Sequence, residues 1–488
     1  MRVFLAVHLP RLQLEAFRPR WLPEPAHGCV VLERDRVVLV GRGALAAGVR
    51  PGMRRGGVLT MSPDIEVHER DVAREDDILR AVAVALMRFS PDVVVCDEGT
   101  VLVDVTASLR LFGGVTKLCH EFAPVIDAIG VTARISAAPT GQGAWLLAHY
   151  CSRRFVKLLS LGRALSSLPL TAVPELRPFS DWFTGLGCST IADVRRLPRA
   201  GLQRRCGQDV LDSLDRAFGL APELYEWMVL PETFAARVEL PGRIEHAEAV
   251  LFAARCLVAQ LCGWLAARQL AVSGLTLRLE HERGRQAIAP TEIPIAVAEP
   301  VWHDDYLVRL MKERLARTEL AAPVIAVGIE TTKMSDVAPM SDTLFPEPGG
   351  SPGDHARLVG LLTARLGEAN VLRPAPTADH RPEIANRWVP LGDASKSGPL
   401  PVSLPRPTWL LDAPGQLVMR RHRPVYGTPL HMMSPGERIE AGWYDGRLVT
   451  RDYFVARAED QACYWVYRER VGSREGDEPR WYLHGLFG

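Results

Sequence analysis

The sequence predicts an α+β protein of several domains that ends in a β-rich module. Three stretches carry this prediction. Up to about residue 165, short β-branched runs alternate with helical patterns, which is typical of helices and strands around one sheet. Residues 170–230 are helical with glycine-bearing turns, and residues 234–332 follow the order β-α-β-β-α-β. That order predicts a four-stranded sheet with two helices on one face.

Length, charge and cysteine usage narrow the class of protein. At roughly 100 to 200 residues per domain, the 488 residues predict about three or four domains. Lys plus Arg number 58 against 57 Asp plus Glu, and this net charge of +1 excludes a histone-like polycation. The nine cysteines form no C-x-x-C pair, which argues against a zinc module or a disulfide framework. Because the N-terminus lacks a signal-peptide core and no apolar run approaches a membrane span, we expect a cytoplasmic protein.

The first domain is predicted as short strands separated by helices. We predict strands at residues 3–8, 29–40, 93–95 and 101–105, and a helix at residues 76–89. The helix is predicted because Ile78, Val82 and Leu86 fall on one face at a spacing of four. The polar run Arg34-Asp35-Arg36 splits the second stretch into two strands.

Glycine-bearing turns punctuate the helical stretch that follows. Gly185 and Gly187 precede a helix that Thr190 caps, and Gly201 and Gly207 mark a second such unit. The pattern resembles a helix-hairpin-helix module, whose glycines let backbone N–H groups approach a phosphate. A plain three-helix packing unit is the alternative.

Four local motifs in order resemble those of the Y-family translesion DNA polymerases, of the UmuC/DinB-like superfamily. Residues 44–53 resemble the fingers segment that ends in F-G-V-R-x-x-M, and Ser62-Pro63-Asp64 resembles the C-P-D turn. Residues 102–106 resemble the L-D-V-T strand, and residues 130–139 resemble G-x-x-x-S-I-G-I-A-P-N-K. The resemblance implies a right-hand architecture with palm and fingers, a helical thumb and a four-stranded little finger.

On this basis the chain is predicted to divide into five parts. They are residues 1–168 (palm and fingers), 169–232 (thumb with helix-hairpin-helix), 233–335 (little finger), 336–407 (clamp-binding motif, short helix and Pro-rich tether) and 408–488 (C-terminal partner-binding module).

The residues that a polymerase needs for chemistry are missing from the matching positions. Phosphoryl transfer uses two Mg²⁺ ions held by carboxylates on neighbouring strands. The resemblance places the first of these pairs on His8 and Pro10 and the second on Gly99 and Thr100. Imidazole is a poor Mg²⁺ ligand and Pro offers none, so we expect no metal and no cofactor.

The positions that bind the incoming nucleotide are altered as well. The resemblance places the triphosphate contacts on Arg42, Leu45 and Gly141 and the sugar gate on Gln13. We therefore expect a polymerase fold without polymerase activity.

A low-activity polymerase is the alternative interpretation. Asp97 and Glu98 lie two residues upstream of the expected carboxylate pair, and Asp104 lies mid-strand. A solvated turn and a structural carboxylate are the simpler interpretation of these three residues.

Motifs beyond the polymerase body resemble those of the catalytically deficient Y-family homologues of the bacterial damage-inducible mutasome. They are residues 379–383, 436–446, 451–454 and 481–487. The resemblance implies a hub for SOS translesion synthesis that binds the β sliding clamp, a RecA-like accessory protein and an error-prone C-family polymerase. We expect such a hub in the cytoplasm, and at the nucleoid when it is recruited to damage.

A degenerate clamp-binding pentapeptide follows the predicted little finger. It consists of Ser341, Asp342, Thr343, Leu344 and Phe345. Leu344 and Phe345 would fill an apolar pocket of the clamp, as in motifs of the Q-L-x-L-F kind. A chance Leu-Phe pair that packs on the little finger is the alternative.

Three further contacts are predicted. Partner docking is assigned to the terminal aromatic segment, with Trp481, Tyr482, Leu486 and Phe487. Weak, sequence-independent DNA binding is assigned to Gly185, Gly187, Gly201, Gly207 and Arg278. A stand-alone damaged-DNA-binding protein is a third hypothesis for the function of the chain. The run from Arg420 to Arg423 is either a phosphate contact or a solvated loop.

Overall fold

Two sheets organise the predicted palm and fingers. The structure is a computed structural model, and it describes residues 2–282, 288–337, 352–391, 405–470 and 479–488. In chain order the elements of this region are β1 (Phe4–His8), α1 (Leu12–Glu15), β2 (Cys29–Glu33), β3 (Arg36–Val40), α2 (Arg42–Ala46), α3 (Arg55–Met61), β4 (Glu66–Glu69), α4 (Val72–Leu86), β5 (Val93–Cys96), β6 (Thr100–Asp104), α5 (Val115–Ile129), β7 (Arg134–Ala138), α6 (Gly141–Tyr150) and α7 (Leu158–Ser166). The predicted strands and the predicted helix are thereby confirmed.

The palm sheet has the order β5-β6-β1-β7, and its neighbouring strands are antiparallel. Because side chains alternate along a strand, β1 supplies two cores. Leu5 and Val7 pack with α4 and α5 on one face, while Phe4 and Ala6 pack with α6 on the other. The α4 helix begins at Val72 because the Asp71 side chain accepts a hydrogen bond from the Arg74 amide.

The fingers sheet has the order β3-β2-β4. The β2 and β3 strands are joined by the two-residue turn Arg34-Asp35, where both residues have positive φ. The predicted interruption at this point is therefore a tight hairpin turn.

The predicted thumb is helical and packs on the Phe4 face of the palm. Its helices are α8 (Ser180–Gly185), α9 (Ile191–Arg196), α10 (Arg199–Cys206) and α11 (Gln208–Ala217). Their buried side chains join one hydrophobic cluster with Phe4, Ala6 and Leu102 of the palm sheet.

The predicted β-α-β-β-α-β order is confirmed in the little finger. It consists of β8 (Ala235–Ile244), α12 (Leu251–Arg268), β9 (Leu270–His281), β10 (Thr291–Val301), α13 (Asp304–Leu315) and β11 (Val324–Asp336). The sheet order is β10-β9-β11-β8, and α12 and α13 pack in the same core. By length and composition the helical stretch Ala247–Arg268 could cross a membrane, but 72% of its apolar window is buried, which is the pattern of a core helix.

The chain forms two compact units, Met1–Arg365 and Leu366–Gly488. The α14 helix (Pro352–Leu366) ends the first unit. The strands of the second unit are β12 (Leu372–Pro376), β13 (Asn386–Pro390), β14 (Trp409–Arg420), β15 (Arg423–Tyr426), β16 (Thr428–Pro429), β17 (His431–Met432), β18 (Glu437–Ala441), β19 (Val449–Arg457), β20 (Cys463–Glu469) and β21 (Trp481–Leu486). They include a sheet of order β16-β15-β14-β21-β20-β19-β17, with β18 also paired to β19.

Part of the stretch predicted as a Pro-rich tether is folded. The β12 and β13 strands form an antiparallel hairpin, and Arg381 in its connecting loop is buried. The Arg381 guanidinium pairs with Asp379 at 2.8 Å and with Asp445 at 2.7 Å. The prediction of a Pro-rich tether with little periodicity over residues 370–407 is wrong for residues 372–390, because an ion pair such as Arg381–Asp445, 64 residues apart, leaves no trace in the local composition.

Candidate functional site

A cleft of about 530 Å³ lies at the His8 end of the palm sheet. It is lined by the end of β1, by α1, by the start of α4, by the β5–β6 connection and by His149 of α6. His8, Pro10, Gln13 and Gly99, four of the positions singled out in the sequence, lie in its wall. Four positions assigned from the resemblance are therefore brought together at one cleft.

The two strands that would carry metal ligands face each other at this end. His8 on β1 is the register partner of Thr100 on β6, and the Leu9 amide donates to the Gly99 carbonyl at 2.9 Å. The predicted ligand positions are thus adjacent in space. They carry an imidazole, a proline, a glycine and a hydroxyl instead of carboxylates.

An aromatic stack fills the wall where these strands meet. The His8 and His149 rings stack with centroids 3.8 Å apart, and the Trp145 ring lies 3.9 Å from His149. The buried Thr100 hydroxyl lies 3.3 Å from His8 Nδ1 and 3.0 Å from His149 Nε2. One hydroxyl therefore holds both imidazoles in place.

Both imidazoles are neutral at pH 7. Burial, followed by the charge of Arg134, lowers the pKa of His8 to about 4. Burial, followed by the neighbouring His8 and Arg177, lowers the pKa of His149 to about 3. The stack therefore behaves as a packed aromatic cluster at neutral pH.

The acidic residues at the cleft are paired with arginine side chains or exposed to solvent. Glu98 forms a charged pair with Arg177 of the thumb region, whose Nη2 lies 3.0 Å from Glu98 Oε2. Glu75 is buried and bound to Arg70 at 2.8 Å. Asp97 is exposed in the connection between β5 and β6.

The carboxylates of the alternative polymerase site do not converge. Asp104 lies four residues along β6 from Thr100, which is roughly 13 Å at about 3.3 Å per residue. Its carboxylate accepts hydrogen bonds from the amide and the hydroxyl of Thr106, at 3.0 and 2.5 Å. Among the described residues, no three His, Cys, Asp or Glu side chains are grouped so that they could hold a metal.

The structure corrects the position predicted for one phosphate contact. Gly141 follows Ala138, whose register partner on β1 is Phe4, so it lies at the end of the sheet opposite His8. Its amide donates to Glu223 at 2.8 Å, and the Tyr225 hydroxyl occupies the space beside it. The prediction that Gly141 marks a lost phosphate contact of the cleft is wrong, because motif counting does not show in which direction an antiparallel strand runs.

The two other nucleotide-contact positions lie in the fingers. Arg42 begins α2 and is exposed, and Leu45 on the same helix is 48% exposed. Neither side chain lines the cleft.

The thumb glycines fit a phosphate site less well than predicted. The amides of residues 187–191 all have acceptors, and those of Ser189 and Thr190 are bound by the Asp193 carboxylate at 3.2 and 3.0 Å. Gly185 ends α8, and no atom crowds Gly185 or Gly187. A phosphate at this turn would therefore have to displace Asp193.

The second predicted turn is also different. Gly201 lies inside α10, where its amide donates to the Pro198 carbonyl at 2.9 Å, so its prediction as a turn glycine is wrong. The turn is at Gly207, which has a φ of 89° and begins α11.

Arg278 lies on the outer face of the little-finger sheet. Its neighbours across the strands are Glu292 and Gly328, and the same face carries the Arg237–Glu280 ion pair at 3.0 Å. This mixture of charges weakens the attraction of a phosphate backbone.

The terminal aromatic segment is part of a sheet. Trp481–Leu486 is β21, which lies between β14 and β20. Trp481 and Leu486 pack against one hydrophobic cluster, and Tyr482 and Phe487 pack against another. Docking by these residues stays a prediction, and the segment that would do it is a paired strand.

Two other predicted contacts are the basic run from Arg420 to Arg423 and the pentapeptide of residues 341–345. The run Arg420 to Arg423 is the hairpin between β14 and β15, with positive φ at Arg421 and His422. The pentapeptide of residues 341–345 lies outside the described residues.

Sequence reasoning missed His149, Trp145 and Arg177. His149 and Trp145 are four residues apart on α6, which places them on one helical face. That spacing was the available signal, but it does not reveal that the face meets β1 and β6.

Part of the chain matches a known protein family. Residues 25–149 match the family described as IMS, impB/mucB/samB. This stretch, which contains the fingers sheet and most of the palm elements, is therefore similar to that family.

Two similar proteins can be aligned with nearly the whole chain. Protein ImuB of Caulobacter vibrioides strain NA1000 / CB15N is 25% identical over 467 residues, which cover 90% of this chain and 100% of that protein. Protein ImuB of strain ATCC 19089 / CIP 103742 / CB 15 gives the same values. Over nearly its whole length the chain is therefore similar to ImuB proteins.

Solved structures were also compared. A Dbh ternary complex is 14% identical, with a TM-score of 0.39, and covers 69% of this chain and 100% of its own. A Y-family DNA polymerase chimera of Dbh and Dpo4 is 14% identical, with a TM-score of 0.37 and the same coverage.

Proposed function

We propose that this chain is a non-catalytic polymerase homologue that serves as the hub of an error-prone translesion synthesis complex. The stack of His8, His149 and Trp145 carries the proposal. It lies at the positions that the resemblance to the Y-family polymerases assigns to the ligands of two Mg²⁺ ions, and β1 offers no carboxylate there. Without the two-metal clamp, the transition state of phosphoryl transfer loses several kcal/mol of stabilisation.

The partners of this hub follow from the likeness to ImuB-type proteins. We propose that it bridges the β sliding clamp, a RecA-like accessory protein of the ImuA type and an error-prone C-family DNA polymerase. It works in the cytoplasm, and at the nucleoid when damage recruits it. Weak DNA binding, independent of base sequence, would supplement these protein contacts.

A primer-extension assay with Mg²⁺ and with Mn²⁺ tests the lack of activity. We expect extension at least about a thousandfold below that of an active Y-family polymerase, because ~5 kcal/mol of lost stabilisation corresponds to more than three decades in rate. Extension that disappears in Asp97→Ala and Glu98→Ala would instead establish the low-activity polymerase. Asp77→Ala removes an exposed carboxylate outside the cleft and serves as the control.

A pull-down with β clamp tests the hub role. Leu344→Ala combined with Phe345→Ala is expected to reduce clamp retention at least about tenfold, because both anchor side chains are lost. Val337→Ala combined with Met340→Ala truncates two nearby apolar side chains and should retain the clamp. Equal retention by all three proteins would remove the pentapeptide assignment, and no retention by any of them would favour a stand-alone DNA-binding protein.

A further inference from the structure

The α12 helix of the little finger is apolar around its whole circumference. Successive helical residues turn by about 100°, so Cys256, Ala259 and Gly263 lie on one side of α12. Leu257 and Leu261 lie on nearly the opposite side and pack in the core of the little-finger sheet. A helix with two apolar sides needs two partners, and the second partner here is the palm.

The palm side of α12 is built from small residues in close contact. Cys256 and Ala259 are 6% and 2% exposed and belong to the palm core with side chains of α4 and α5. A Cβ added to Gly263 would lie 2.0 Å from the Val84 carbonyl oxygen and 2.8 Å from the α-carbon of Ala85. Val84 packs in turn against the little-finger core, so each core contains a residue of the other domain.

Charged pairs flank this apolar contact. Arg88 at the end of α4 lies 3.1 Å from Asp304 at the start of α13. Arg74 at the start of α4 lies 2.8 Å from Glu239 on β8. The two pairs join both ends of α4 to the little finger.

The thumb helices and the α12 helix of the little finger pack on opposite sides of the palm sheet. The thumb packs on the Phe4 face of the palm sheet, whereas α12 packs on the helices that cover the Leu5 face. Most of the little-finger core lies on the other side of α12, while the edge strand β8 also reaches the palm core through Val238; Arg278 lies on the sheet face opposite this core.

We propose that α12 fixes the little finger to the palm as one rigid body, so that this chain does not close thumb and little finger around a DNA duplex. Domains joined by small polar interfaces move by default, whereas a shared apolar core resists separation. The thumb and the Arg278 face then act as separate surfaces.

Distance measurement in the full chain tests the proposal. Fluorescent labels are placed at Arg80→Cys on α4 and Lys312→Cys on α13, two exposed positions. The four partly exposed native cysteines are replaced by serine; they are Cys96, Cys151, Cys206 and Cys463. We expect one narrow distance distribution that does not change when a primer–template duplex is added at low salt. A broad or two-peaked distribution in the free protein, or a shift with DNA, would overturn the proposal.

Gly263→Leu supplies a second measurement. The new side chain cannot fit against Val84, so we expect a lower Tm together with faster amide exchange in both α4 and α12. Gly201→Leu is the matched control, because a Cβ on this helical glycine meets no atom within 4 Å. If Gly263→Leu kept the wild-type Tm and α4 exchange and merely lengthened the label distance, the little finger would be a loosely docked domain.

Discussion

The two ends of β1 lie in one sheet but are surrounded by different polar side chains. At the His8 end, neutral imidazoles and a threonine stand where carboxylates would hold metal. At the Phe4 end, the Asp104 carboxylate is retained and is fully engaged with Thr106. Strand pairing depends on backbone hydrogen bonds and alternating apolar side chains, which both ends keep. The comparison teaches that a sheet can persist while the chemistry at one end is replaced.

The contacts of Asp104 lie at the Phe4 end of the palm sheet. Asp104 holds the turn that follows β6, and the Thr106 hydroxyl also accepts a hydrogen bond from the Val3 amide at 2.9 Å. This carboxylate therefore links β6 to the start of β1.

The largest expected effect concerns acidification at the His8 end. The pKa of His8 is lowered to about 4 and that of His149 to about 3, whereas an unfolded histidine titrates near 6.5. Between these values the unfolded chain binds more protons, so stability is complete above about pH 6.5 and falls as the pH drops towards 4. We expect a loss of about 2 kcal/mol for each imidazole between pH 7 and pH 5, measured by denaturant unfolding.

The variant His149→Phe distinguishes the contribution of the two imidazoles to the pH dependence of stability from that of other titrating groups. The phenyl ring keeps the stack but cannot be protonated, so the decline between pH 7 and pH 5 should be about 2 kcal/mol smaller than in the wild type. An unchanged decline would show that the His8 end is not the acid-sensitive end.

The next effect compares one carboxylate from each end. Asp104→Ala leaves the amide and hydroxyl of Thr106 without their acceptor, and we expect a loss of about 2 to 3 kcal/mol in the free energy of unfolding. Asp97→Ala removes an exposed side chain and should change it by less than about 0.5 kcal/mol. Denaturant unfolding at pH 7 checks both values. Equal effects would mean that the cleft carboxylate also has a buried partner.

Much of this fold could be predicted from the sequence, since it follows from local periodicity. Short buried and β-branched runs predicted the strands of the palm, and the order of elements predicted the little finger. That the strands bearing His8 and Thr100 are neighbours followed from the resemblance in motif order. These features depend on residues that are close in sequence or in a fixed order.

The features that were missed depend on contacts distant in sequence. His149 meets His8 across 141 positions, and Arg381 meets Asp445 across 64. Gly141 was assigned to the wrong end because counting along a motif ignores strand direction. Local sequence patterns carry no information on contacts between residues this far apart, so these contacts could be identified only from the three-dimensional structure.

The smallest effect concerns the crowding at Gly141, at the Phe4 end. A Cβ added there would lie 2.2 Å from the Tyr225 hydroxyl oxygen and 2.8 Å from Leu102 Cδ2, so Gly141→Ala should destabilise the fold by about 1 to 2 kcal/mol. Gly201→Ala, a helical glycine in open space, should stabilise it by up to about 1 kcal/mol.

A double-mutant cycle with Tyr225→Ala isolates this contact. Tyr225→Ala removes the ring, and with it the hydroxyl that donates to Glu223 at 3.1 Å, so the single variant is itself destabilised. If the ring causes the crowding, adding Gly141→Ala to Tyr225→Ala should cost clearly less than adding it to the wild type. An unchanged cost would show that the crowding comes from Leu102 and the sheet. The Phe4 end would then be closed by its own strands instead of by the segment that follows α11.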